Sequence, residues 1–150
     1  MKRIYLLFFA AVLLISGCAS NNISGNQEQK PVGYIITSDS IIFMFDASQY
    51  KYVTNQYTGE WVSIKKIPIR TVTLAGDFNS WSRSKNPMEN DNGIYKLTFP
   101  LTDFQENKPY QFKFVLNEQW WVEPSPNMND KYKTNLGNHS KNLSFIIQEN

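Results

Sequence analysis

The segment at residues 110–116, Tyr-Gln-Phe-Lys-Phe-Val-Leu, alternates large apolar side chains with polar or smaller ones. Successive side chains of a β-strand point to opposite faces of a sheet, so one face of this segment would carry Tyr110, Phe112, Phe114 and Leu116. An α-helix would spread these side chains around its axis, because its period is 3.6 residues. We therefore predict a strand with one face in the core.

Similar stretches recur from Tyr34 onward, and no segment shows a sustained helical period. They are rich in β-branched and aromatic residues and are separated by Asn, Gly, Asp and Pro, which is typical of strands joined by tight turns. The predicted strands are 40–46, 50–53, 60–64, 69–75, 93–99, 109–116, 120–123 and 143–148. This number of strands in about 115 residues predicts an all-β domain with a sandwich architecture.

Length and composition limit the function classes. The 150 residues give room for one ordinary domain and exclude an enzyme built on a barrel of about 250 residues. Hydrophobic residues make up 41% of the chain, enough for a packed core. A net charge of +2 provides no strongly basic surface, so nucleic acid is not an expected partner. The single cysteine cannot form an internal disulfide.

The first residues have the organisation of an export signal. Lys2 and Arg3 precede 12 apolar residues at 4–15, a run too short for a stable transmembrane helix, which needs about 20. The small residues before Cys18 make this stretch similar to a bacterial lipoprotein signal, in which the cysteine is acylated and becomes the first residue. The alternative is an ordinary secretory signal followed by a chance cysteine. The expected organisation is a signal peptide at 1–17, then lipidated Cys18 with a flexible tether to residue 33, then a domain at 34–150.

Removal of the signal changes the charge balance. Of 150 residues, 133 would remain, and the 15 basic residues would fall to 13 through loss of Lys2 and Arg3. These match the 13 acidic residues, so the mature chain would be formally neutral. The expected location is the cell envelope, at the outer membrane if the host has one, with the lipid as the membrane anchor.

A family resemblance lies in the second half of the chain. The stretch 72–82, Val-Thr-Leu-Ala-Gly-Asp-Phe-Asn-Ser-Trp-Ser, is followed by Pro-Met at 87–88, Gly-Ile-Tyr at 93–95, Tyr-Gln-Phe-Lys-Phe-Val at 110–115 and Trp120. This ordered set resembles the glycogen-binding domain, carbohydrate-binding module family 48, over residues 70–147. The resemblance implies an immunoglobulin-like β-sandwich that binds α-1,4-glucan.

The resemblance also implies site residues. Trp81 would stack on glucose, Lys113 would bond sugar hydroxyls, and Trp120 would be the second stacking platform. Leu136 would press against a glucan ring, and Asn138 would contribute a polar contact. From spacing alone, the tryptophans are equally compatible with ordinary core packing.

This chain departs from the family pattern around the second tryptophan. An Asp-Gly turn of the family is Asn117-Glu118 here, which predicts a reshaped loop. Trp121 has no family counterpart and is expected to pack, but adjacent strand residues point to opposite faces, so the two tryptophans could exchange roles. Trp61 lies outside the resemblance and is expected in the core, with an exposed position as the alternative.

Catalysis has little support in the sequence. A glycosidase needs two suitably spaced carboxylates, and Asp77, Glu118 and Glu123 are candidates by location only. His139 is the single histidine, so neither a metal site nor a cofactor is predicted.

The leading hypothesis is a lipid-anchored, non-catalytic module for glycogen, starch fragments or maltooligosaccharides. The alternative is a structural module that has kept the sandwich but lost sugar binding and contacts another envelope protein.

Overall fold

Two antiparallel β-sheets make up the fold, which confirms the predicted all-β class. A computed structural model describes residues 33–125, 133–135 and 141–148, and these contain no α-helix. Their eleven strands are β1 (Gly33–Ile36), β2 (Ser40–Asp46), β3 (Tyr52–Asn55), β4 (Trp61–Ser63), β5 (Val72–Gly76), β6 (Glu89–Asp91), β7 (Ile94–Pro100), β8 (Pro109–Leu116), β9 (Trp120–Val122), β10 (Lys133–Asn135) and β11 (Lys141–Ile146). Four 3-10 turns lie at Ala47–Gln49, Ile64–Lys66, Asp77–Asn79 and Leu101–Asp103.

The order of the strands places β8 at the centre of the larger sheet. The smaller sheet has the order β1-β2-β7-β6. The larger, seven-stranded sheet has the order β10-β11-β8-β9-β3-β4, and β5 also pairs with β8. One long strand, β8, therefore positions the side chains contributed by β5, β9 and β11.

Aromatic side chains from the two sheets meet in the core. In β2 of the smaller sheet, Phe43 lies 5.0 Å from the Phe112 ring and Phe45 lies 5.3 Å from the Phe114 ring, measured between ring centroids. Both pairs are fully buried, and Phe145 of β11 packs 5.5 Å from Phe43. Aromatic contacts of this kind add specific geometry to the burial of apolar area, so they fix how the sheets face each other. The predicted core face of residues 110–116 is confirmed.

The predicted strand positions agree best where alternation is strong. The strands at 40–46 and 109–116 have the predicted bounds, and the other predicted strands differ from the observed ones by at most three residues at either end. Strands β1, β6 and β10 were not predicted: each has four or fewer residues, and β6 (Glu-Asn-Asp) and β10 (Lys-Thr-Asn) contain no apolar residue that would show alternation. Gly33, the last residue of the predicted tether, instead begins β1, with φ +87° and the Phe112 ring close to where a Cβ would lie.

The edge hairpin of β3 and β4 corrects the expectation for Trp61. Its side chain is 51% exposed, so the predicted core position is wrong. Val62 packs on the core instead, and its neighbour Trp61 therefore points to the outer face of the sheet. Across the described residues, we find no helix with the length and hydropathy needed to cross a membrane.

Candidate functional site

A cleft of about 480 Å³ lies on the outer face of the seven-stranded sheet. Its walls combine two indole rings with charged and polar groups: Thr54, Trp81, Lys113, Trp121, Glu123 and Asn142. Five of these residues come from the sheet or directly follow one of its strands, and Trp81 comes from the loop after β5. A mostly apolar cleft with a few polar groups is typical of a small-ligand site.

The loop after β5 holds Trp81 in an uncommon backbone conformation. Ser80 and Trp81 both have left-handed backbones, with φ of 55° and 57°. Such values cost free energy for residues other than glycine and persist only where the surroundings enforce them. Asn79 holds the loop in this conformation: its Oδ1 accepts a hydrogen bond from the Gly76 N–H at 3.0 Å, and its Nδ2 donates to the Leu74 carbonyl at 2.8 Å.

Asp77 fixes the indole ring itself. One carboxylate oxygen accepts a hydrogen bond from the indole Nε1–H of Trp81 at 3.0 Å, and the other accepts from the backbone N–H of Gln111 at 2.8 Å. The first bond lies within the loop, and the second joins the loop to β8. The direction of the Trp81 ring is therefore set by the sheet as well as by the loop.

The second indole at the cleft belongs to Trp121 and not to Trp120. In the β8–β9 hairpin, Val115 is opposite Trp121 and Leu116 is opposite Trp120. Directly opposite residues share a face of a sheet, so Trp121 lies on the outer face, and Trp120 packs against the core with Leu116. The Trp81 and Trp121 ring centroids are 6.2 Å apart, and the ring planes are inclined at 57°. The geometry thus favours the exchanged assignment of the two tryptophans.

Lys113 lies in the floor of the cleft, with 5% of its surface exposed. Its Nζ donates to both carboxylate oxygens of Glu123, at 2.9 and 2.8 Å, and Thr54 Oγ1 donates to the same carboxylate at 2.8 Å. The resemblance implies a lysine that bonds sugar hydroxyls directly, whereas here the ammonium is part of a buried ion pair. Asn142 Nδ2 donates to Gln111 Oε1 at 2.8 Å beside this pair.

An arginine connects the loops around the cleft. Arg83, two residues after Trp81, donates from Nη1 to the backbone carbonyl of Glu118 in the β8–β9 turn. Its guanidinium also lies 5.8 Å from the centroid of the Tyr57 ring, between β3 and β4. One cation therefore links the Trp81 loop to the two hairpins that carry Thr54, Lys113 and Trp121.

The three candidate carboxylates lie in different surroundings. Asp77 and Glu123 each accept hydrogen bonds from the partners described above, and Glu118 is exposed in a turn with φ 57°. Within residues 33–125, 133–135 and 141–148, no group of three or more His, Cys, Asp or Glu side chains could hold a metal ion. The polar groups of the cleft are suited to hydrogen bonding with a ligand.

Sequence reasoning identified part of this site. Trp81 and Lys113 were predicted and do line one cleft, whereas Glu123 was considered only as a candidate carboxylate by its location. Thr54 and Asn142 were missed, although outward polar positions in alternating strands were the available signal. The predicted contacts at Leu136 and Asn138, and the predicted lipidation at Cys18, lie outside the described residues.

Comparison with known proteins connects this geometry with a family. Residues 70–134 match the family model described as carbohydrate-binding module 48 (isoamylase N-terminal domain). The chain is also similar to the signal transduction protein MDG1 of Saccharomyces cerevisiae strains YJM789, RM11-1a and S288c. Each is 29% identical over 94 residues, which cover 63% of this chain and 23% of the relative. The chain thus spans about a quarter of the length of these curated relatives. Together these findings support a carbohydrate-binding module 48 domain within this chain. Members of that family are non-catalytic binding modules with an immunoglobulin-like β-sandwich fold, which agrees with the two sheets described above.

Proposed function

We propose that the protein binds α-1,4-glucan, such as glycogen, starch fragments or maltooligosaccharides, in the cleft between Trp81 and Trp121. The observation that carries this proposal is the pair of half-buried indoles, 6.2 Å apart, on the wall of one open cleft. The choice of α-1,4-glucan rests on the family match over residues 70–134.

The chemistry of the cleft suits a sugar chain. A pyranose ring presents an apolar C–H face that can stack on indole, and hydroxyl groups around its edge that need polar partners. The Glu123 carboxylate and the Asn142 amide line the cleft beside the two rings. Because water competes for each of these contacts, we expect affinity in the micromolar to millimolar range, about −4 to −8 kcal/mol.

Glycogen retardation in native gels tests this proposal. The full chain would be purified in a detergent without a sugar headgroup, since a glucoside or maltoside would compete for the cleft. We expect embedded glycogen to slow the parent protein and to have a much smaller effect on Trp81→Ala and Trp121→Ala. Ile36→Ala is the control, because Ile36 is 40% exposed on β1 and does not line this cleft.

A further variant tests the assignment of the two tryptophans. Trp120→Phe should lower the unfolding free energy and leave retardation intact, because Trp120 packs against the core. If mobility were the same for parent and variants in glycogen, amylose and amylopectin gels, sugar binding in this cleft would be refuted. The alternative, a module that contacts another envelope protein, would then be favoured.

We also propose that Cys18 is acylated and holds the protein at the cell envelope, on the outer membrane if the host has one. The support is the sequence pattern of a basic start, 12 apolar residues and small residues before the cysteine. Metabolic labelling with a palmitate analogue should mark the parent and not Cys18→Ser, and fractionation should find only the parent with membranes. Equal labelling of both proteins would contradict the proposal.

A further inference from the structure

A second pair of aromatic side chains lies next to the cleft and outside the family match. Tyr52 of β3 and Trp61 of β4 are 44% and 51% exposed. Their ring centroids are 6.0 Å apart, and their planes are inclined at 46°. A pair of this kind stabilises a hairpin by itself, so its exposure alone does not indicate a ligand. The evidence for a ligand is the position of the pair relative to Trp121.

The register of three neighbouring strands places Trp61 and Trp121 in one row. Thr54 of β3 is opposite Trp61 on one side and opposite Trp121 on the other. The adjacent row, Val62, Val53 and Val122, is in the core or packed against it. The tryptophan row must therefore point outward, with its two indoles separated by two strand spacings, about 10 Å. Tyr52, two residues before Thr54, shares this outer face.

A second cleft of about 240 Å³ runs beside these rings. It is lined by Lys51, Tyr52, Trp61, Glu123, Pro124, Ser125 and Lys141. Glu123 also lines the larger cleft, so the two depressions share a wall. The lysine ammonium groups provide hydrogen-bond donors around the aromatic pair, and the Ser125 hydroxyl, which donates to the Gln49 carbonyl, can accept a hydrogen bond.

We propose that Tyr52 and Trp61 form an extension subsite, which receives the part of a glucan chain that leaves the cleft at Trp121. This inference rests on the proposed function. A chain lying along the row from Trp121 to Trp61 would pass over the small Thr54 side chain and find a second stacking platform with polar groups beside it. The β3–β4 hairpin would thus add selectivity for longer oligosaccharides to a site that otherwise holds a short one.

Calorimetric titration of the full chain with maltotriose and maltoheptaose tests the subsite. The parent should bind maltoheptaose more tightly than maltotriose, because only the longer sugar can occupy the cleft between Trp81 and Trp121 and also reach Trp61. Trp61→Ala should weaken maltoheptaose binding about 3- to 10-fold, as expected for one lost stacking contact, and leave maltotriose binding unchanged. Ile36→Ala should leave both affinities unchanged, and thermal melting would verify that each variant is folded.

The two sugars distinguish failure of the subsite from failure of the proposed function. If the parent bound both sugars and Trp61→Ala did not change the preference for the longer one, the subsite would be refuted and the main cleft retained. If Trp61→Ala weakened the binding of both sugars equally, a separate extension subsite would also be refuted. If the parent bound neither sugar, the proposed function itself would fail, and the aromatic pair would be assigned to hairpin stability or a protein contact.

Discussion

Lys113 shows how burial changes the role of a residue implied by a family pattern. A lysine in the middle of an alternating strand is expected to place its charge in solvent, where it could bond a ligand. Here strands and indoles surround it, and its side chain is 6% exposed, as is that of its partner Glu123. We infer that the pair shapes the floor of the cleft and directs the Glu123 carboxylate towards it.

Lys113→Met should therefore lower the free energy of unfolding strongly. The substitution keeps the length of the side chain but leaves the Glu123 carboxylate buried without its cation, which typically costs about 3 to 5 kcal/mol. Glu123→Gln in the same chain should restore much of this loss, because a neutral amide oxygen can still accept the Thr54 hydrogen bond. Denaturant unfolding of the two variants and the parent measures this. If Lys113→Met were as stable as the parent, the ion pair would not be structural.

The β8–β9 hairpin shows why strand pattern alone could not locate the second indole. The alternation in β8 is strong enough to give its bounds and its core face. The face of Trp120 or Trp121, however, depends on how many residues the turn leaves unpaired, since a shift of one residue reverses every side chain. Asn117 and Glu118 both adopt positive φ, at 52° and 57°, and Leu116 pairs with Trp120 beyond them. The sequence indicated an altered loop but not this register.

The loop after β5 was more predictable than the hairpin for a local reason. Its motif contains Asn79, which accepts from the Gly76 and Ser82 N–H groups and so determines the turn within seven residues of sequence. The role of Asp77 was not predictable, because its bond to the Gln111 N–H joins residues 34 apart. Local motifs therefore identified Trp81, whereas contacts between distant strands determined the direction of its ring.

In the whole molecule, the net charge is small, and the ion pair at the cleft floor is satisfied within the protein. The 150 residues carry 15 basic and 13 acidic side chains, and the two counts would be equal at 13 if residues 1–17 were removed. A neutral glucan releases no counterions when it binds, unlike a polyanion, whose affinity falls steeply with salt. Stacking and hydrogen bonding to hydroxyl groups should therefore account for the binding free energy.

Sugar affinity should consequently be almost independent of ionic strength. Between about 0.05 and 0.5 M sodium chloride, we expect the Kd for maltoheptaose to change less than about 2-fold. Calorimetric titration at several salt concentrations measures this, and thermal melting in the same buffers separates binding from folding. A rise in Kd of 10-fold or more at the higher salt concentrations would contradict recognition by stacking. It would instead indicate that the charges of Lys51 and Lys141, which line the second cleft, contribute to binding of the sugar.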